Sequence, residues 1–324
     1  MAFRLKLVPD NTTWDFFRWQ WLTFGLSTVA AIVSVILIAV MGLNFGIDFR
    51  GGTTIRTEAA QPIDIGTYRS ALSGLGLGDV SLTEVFDPTF GPDKHVAMVR
   101  VGARDGAESI LPQDIAAIEG ALKAVDPSVK FTSVESVGPK VSGELIQTAI
   151  WSVLAAIVGI MVYIWLRFEW QFAIGAAVSL VHDVLITVGV FALFQIRFDL
   201  TIVAALLTIL GYSINDTVVV FDRLRENLMK YKTRPLRDLM NLSVNETLSR
   251  TVMTSGTTLV ALVSLLVLGG DVIRGFVFAM TFGILIGTYS SVYVAKNIVL
   301  YLGVKRDWSK PADGGPAGTQ FAGK

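Results

Sequence analysis

The chain contains no cysteine, which excludes a disulfide, a thiolate metal site and a cysteine nucleophile, so any domain outside a membrane must hold together by packing alone. Histidine is nearly as scarce: His95 and His182 are too few for a histidine metal cluster. Charge is short as well. Only 17% of the 324 residues are charged, and the 27 basic residues equal the 27 acidic ones, which excludes the bulk positive charge that drives nucleic-acid binding. Hydrocarbon is what the chain has in excess. A hydrophobic content of 52% and a mean hydropathy of +0.58 are too apolar for an ordinary soluble domain and point to a membrane protein. Nothing in the sequence forms a catalytic constellation or asks for a metal or cofactor, so the chain does not read as an enzyme.

A helix needs about 20 apolar residues to cross hydrocarbon, and six such runs are present, at 21–42, 146–166, 172–194, 200–221, 251–269 and 273–302. The first is preceded by 20 residues, is longer than a signal-peptide core and lacks a following small-residue cleavage site, so it reads as an uncleaved span. Lys and Arg in short loops resist translocation. Arg223, Arg225, Lys230, Lys232, Arg234 and Arg237 between spans four and five, with Lys305, Arg306 and Lys310 in the tail, set both segments on the cytoplasmic side. Residues 1–20, with Arg4, Lys6 and Arg18, fall on the same side, and residues 43–145 on the opposite one. On this reading 222–250 is a cytoplasmic loop containing an amphipathic interfacial helix at 235–245, and 303–324 is a cytoplasmic tail.

Residues 43–145 alternate as strand 53–58, helix 64–75, strand 79–86, strand 95–101, helix 112–125 and strand 129–137. The order βαββαβ predicts a ferredoxin-like split βαβ sandwich, two helices on one face of an antiparallel sheet and the other face open to solvent. That open face suits an extended peptide or serves as a plain spacer. The domain is flanked by Gly51 and Gly52 on one side and Gly138 and Pro139 on the other, junctions that read as hinges or as simple turns out of the lipid.

An ionisable group in hydrocarbon costs at least about 2.5 to 3.5 kcal/mol, so each one asks for a partner, a wet cavity or a job. Asp216, after Asn215 in span four, stands roughly 24 Å along the helix from Leu200, towards the cytoplasmic side. Span five begins with Arg250, which can reach a buried carboxylate, and continues with Thr254, Ser255 and Thr258 on one helix face. These hydroxyls line a hydrated path or glue two helices together. His182 and Asp183, halfway along span three, form a local ion pair, a helix–helix hydrogen bond or a proton relay. In span six Gly283 and Gly287 have the spacing of close helix packing, and Lys296 reads as snorkelling to the cytoplasmic surface. An acid that exchanges a proton, a guanidinium that feels its charge and hydroxyls that hold water together make a proton-coupling unit.

At this level of detail the chain resembles the SecF family, subunits of the bacterial SecDF protein-export complex. The resemblance rests on residues 46–52 (Gly-Ile-Asp-Phe-Arg-Gly-Gly), Val137-Gly138-Pro139, His182-Asp183, 211–216 running on to 221–227, and 254–258. It implies membership of the RND superfamily and an aid to preprotein translocation driven by the proton motive force, working with SecD, the SecYEG channel and YajC. It further implies that Asp216 is the proton-linked aspartate, that Arg250 is a required arginine and that the external domain engages unfolded preprotein. The same relay would also serve an RND-type exporter of small molecules or lipids, or be idle in a passive assembly scaffold.

Overall fold

A computed structural model describes residues 9, 12–77, 79–86, 94–102 and 112–304; Arg4, Lys6 and the basic residues of the tail lie outside them. The chain runs α1 (Gln20–Met41), α2 (Ile47–Arg50), β1 (Gly52–Ala59), α3 (Ile65–Ser73), β2 (Val80–Val85), β3 (His95–Gly102), α4 (Pro112–Val125), β4 (Lys130–Val137), α5 (Pro139–Arg167), α6 (Trp170–Phe194), α7 (Leu200–Lys230), α8 (Leu236–Leu268) and α9 (Asp271–Ser290). A π-helical turn, Ser291–Ala295, and α10 (Lys296–Leu302) prolong α9. Six helices are long and apolar enough to cross a membrane: α1, α5, α6, α7, α8 and the composite helix from Asp271 to Leu302.

Half of the most apolar stretch of α6 and of α7 is buried, against 11% in α1 and α8 and 6% in α5, so α6 and α7 form the centre of the bundle. Close approach there depends on missing side chains. A Cβ on Gly283 would lie 2.3 Å from Ile209, and one on Gly287 would lie 3.0 Å from Ser213, so these two glycines admit α7 against α9. The expected cytoplasmic loop is instead helical: α7 continues to Lys230 and α8 starts at Leu236. The residues expected as a separate interfacial helix are the opening turns of α8. Their charges are absorbed between the two helices, where the Arg223 guanidinium meets Glu246 at 2.7 Å and Glu226 at 2.6 Å, and Asn227 Nδ2 donates to Ser243 Oγ and Glu246.

The domain between α1 and α5 contains a four-stranded sheet of order β2-β3-β1-β4 in which every neighbouring pair is antiparallel. Ile55, Val99, Val101 and Leu82 point to one face, where α3 and α4 cover them with Tyr68, Leu72, Ile118 and Leu122. Asp64 caps α3 by accepting from the Gly66 amide at 2.9 Å and the Thr67 hydroxyl at 2.6 Å. The Thr67 bond, then the amide, holds its carboxyl below the usual carboxylate range.

The other face, expected to be open, is partly covered: Ser81, Thr83 and Glu135 are exposed on it, while short α2 lies against the sheet and Arg100 and Arg197, the latter from the turn between α6 and α7, both donate to the sulfur of Met98. Burial and then the charge of Arg197 lower the Arg100 guanidinium to about 10. The chain leaving α1 is stitched to the same turn by Gly46 N donating to Phe198 O and Phe198 N donating to Asn44 O, each at 2.8 Å, with Phe45, Phe49, Phe191 and Phe198 packed edge-to-face around the join.

Candidate functional site

Asp216 lies on α7, 2% exposed, and its Oδ2 accepts from Ser255 Oγ of α8 at 3.3 Å. The Ser255 hydroxyl in turn stands 2.8 Å from that of Thr288 on α9, so three helices meet around this carboxylate. Arg250 is exposed at the start of the apolar part of α8 and forms neither a hydrogen bond nor an ion pair with Asp216. Asn215 points away from Asp216 and is exposed on the outside of the bundle. Of the expected hydroxyl ladder only Ser255 reaches the acid. Thr254 bonds back to the carbonyls of Arg250 and Thr251, and Thr258 donates to Thr254 O while accepting from Tyr212 at 3.2 Å.

A second carboxylate is more deeply enclosed. Asp183 of α6 is 0% exposed, with Oδ2 accepting from Ser213 Oγ of α7 at 2.7 Å and from Ser290 Oγ of α9 at 2.8 Å, and Oδ1 standing 3.0 Å from His182 Nδ1. Ser179 donates to Ser290 at 2.9 Å. Ser213 and Ser290 are polar residues within apolar runs, and their convergence on Asp183 is a product of helix packing.

Lys296 does not snorkel. It is 1% exposed, and its Nζ lies 4.0 Å from the centre of the Phe17 ring and 5.2 Å from those of Phe16 and Tyr293, with no hydrogen-bond acceptor among the described residues. The segment that brings these rings is tied to α8: Trp14 N and Phe16 N donate to Asn245 Oδ1 and Asn241 Oδ1 at 2.9 Å, and Arg237 donates to Phe17 O.

The hinge residues of the two domain junctions are brought together. Gly51 has φ +73° and Gly52 φ +127°, conformations that L side chains rarely adopt, and a Cβ on Gly51 would lie 3.3 Å from the backbone of Pro139 and from Val137 O. Gly138 is the N-cap of α5, with Pro139 at its first position.

Six apolar helices, an antiparallel α/β domain inserted after the first of them and two enclosed carboxylates in the central helices define a multi-pass membrane protein. The profile of the family described as protein export membrane protein SecD/SecF, C-terminal, matches residues 117–305, and that of the SecD/SecF GG motif matches 36–63, the stretch that contains Gly51 and Gly52. Protein translocase subunit SecF of Cereibacter sphaeroides is 70% identical over 322 residues, covering 99% of each chain. The SecF of Rhodobacter capsulatus is 68% identical over 97% of this chain and 96% of its own, and that of Vibrio alginolyticus 41% over 98% of both. The chain belongs to the SecF family of protein translocase subunits. Among solved structures, the crystal structure of SecDF, a translocon-associated membrane protein from Thermus thermophilus, superposes with a TM-score of 0.80 at 32% identity. The match covers 91% of this chain and 39% of that one, so the chain spans well under half of the SecDF polypeptide.

Proposed function

We propose that the chain assists preprotein export across the bacterial inner membrane by coupling it to the proton motive force, with SecD as its other half and SecYEG and YajC as further partners. The observation that carries this reading is Asp216, an acid enclosed in a membrane span with one hydroxyl partner, and Arg250 is its proposed cationic counterpart. An acid so placed has two states of different charge, and the surrounding helices prefer different arrangements in each. Thr254, Thr258, His182 and Asp183 support the polar path. Gly51, Gly52, Gly138 and Pro139 form the hinge through which helix movement reaches the external domain.

In this proposal both termini are cytoplasmic and the external domain is periplasmic and ferredoxin-like, the strand order β2-β3-β1-β4 being the one a split βαβ requires. Asn215 supports the pairing with SecD: a carboxamide exposed on the outside of a span is poorly placed in lipid and suited to a neighbouring helix.

The test is Asp216→Asn in proteoliposomes carrying the complete export machinery, with preprotein release followed under an imposed proton gradient. The gradient should accelerate release in wild type and have no effect on the variant. Equal acceleration in both would leave the chain as a passive scaffold.

A further inference from the structure

We propose that Asp183 is a second proton-binding site of the bundle, built so that its carboxyl group is hydrogen-bonded in both charge states. The inference rests on the proton-coupling reading and deepens it. Among the described residues no Lys or Arg pairs with Asp183, which is 0% exposed, so an ionised carboxylate here is held by dipoles alone, those of Ser213, Ser290 and His182. Burying a charge on such terms is expensive, and taking up a proton relieves it.

Most buried carboxylates would strand a donor or an acceptor on changing state, at about 1 to 3 kcal/mol per group. This one has an alternative ready. Ser290 Oγ is 2.8 Å from Asp183 Oδ2 and also 3.1 Å from the Gly287 carbonyl of its own helix. With Asp183 ionised, the Ser290 hydrogen points to Oδ2. With Oδ2 protonated, the new O–H donates to Ser290 Oγ, whose own hydrogen turns to Gly287 O while Ser179 continues to donate to it. Ser213 still donates to Oδ2, and His182 Nδ1–H to Oδ1. The change forms one O–H bond, with the proton drawn from hydronium on one side of the membrane and returned to water on the other.

The site grips the same helices as Asp216. Ser213 precedes Asp216 by less than one turn of α7, and Thr288, bonded to the Ser255 that serves Asp216, lies two residues before Ser290. Immediately after Ser290 the helix widens into the π turn, a feature that marks functional positions in helices. Of the titratable groups on the packed elements, α1 has none; α7 brings Tyr212, Asp216, Asp222, Arg223, Arg225, Glu226 and Lys230; α5 has Lys140, Glu144, Tyr163 and Arg167, the last paired with Asp222; and the sixth span brings Asp271, Arg274, Tyr289, Tyr293, Lys296 and Tyr301.

The test is an infrared pH titration of the full chain in liposomes. The wild-type minus Asp183→Asn difference spectrum should contain a protonated-carboxyl stretch that grows as pH falls. In Ser290→Ala, which keeps the acid, the midpoint of that band should rise, by up to about one pH unit, because the bond lost by the ionised carboxylate is worth more than the bond lost by the protonated one. A band absent at all pH values, a band constant at all pH values, or an unmoved midpoint in Ser290→Ala would each overturn the proposal. The wild-type minus Asp216→Asn spectrum reports the other acid, so loss of the coupling reading at Asp216 and loss of the second site at Asp183 are separate results.

Discussion

Asp183 and Lys296 are both ionisable side chains with almost no exposure, and the bundle treats them differently. The acid has three donors, whereas the ammonium has only ring faces. A cation over an aromatic ring gains about 0.5 to 2 kcal/mol, less than the several kcal/mol that an ion loses on leaving water. Lys296 is therefore not there for stability, and an unbranched apolar residue of similar length should replace it without loss. Lys296→Met is expected to melt at or above the wild-type temperature in detergent, followed by fluorescence-detected gel filtration. Phe17→Ala removes a fully buried ring and uncovers the ammonium, and should lose about 3 to 5 kcal/mol. If Lys296→Met fell further than Phe17→Ala, the cage would be a main support of the fold.

The elements of the external domain were legible because each obeys a local rule: period-two alternation in the strands, an Asp cap at α3, a proline in the first turn of α4. The stretch between spans four and five was not. Its charges read as a solvated loop, yet charge reports polarity and says nothing of helicity, and the Arg223, Glu226, Asn227 and Glu246 network lets two helices run on past the apolar zone. The same distinction divides the candidate site. Asp216 and Ser255 stood out as polar residues in apolar runs, but the choice of Ser255 over Thr254 and the gathering of Ser213 and Ser290 on Asp183 depend on which helix faces meet. At the junction, Gly51 combines a positive-φ backbone with an approach to Pro139 that would crowd a Cβ. Gly51→Ala is expected to cost about 1 to 2 kcal/mol from the backbone alone. It should also speed limited proteolysis around residues 50–52 and 137–139, while Gly74→Ala, in open space, should not.

On the scale of the whole molecule, the external domain is fixed to the membrane helices at three separated places. Its two chain junctions meet at Gly51 and Pro139, Met98 sits under Arg197, and the end of β2 reaches the start of α9. The last contact is reciprocal: Phe86 N donates to Asp271 Oδ2 at 2.6 Å, and Asp271 N donates to Phe86 O at 2.9 Å. Asp271 N is one of the first-turn amides that a helix cannot satisfy internally, so the strand end completes the helix as it docks. This latch joins the domain to the span that carries Thr288 and Ser290, and any shift of that span pulls on β2 directly. Proline is compatible with the first helical position but offers neither the carboxylate nor the amide hydrogen, so Asp271→Pro removes both bonds and leaves α9 able to form. The absence of native cysteine makes the test clean, since Glu135→Cys and Val272→Cys, both exposed, are then the only sites that a spin label can take. Electron-spin distance measurement should give one narrow distribution in the labelled parent and a broad, longer one once Asp271→Pro is added. An unchanged distribution would mean that the junctions and the Met98 contact hold the domain without the latch.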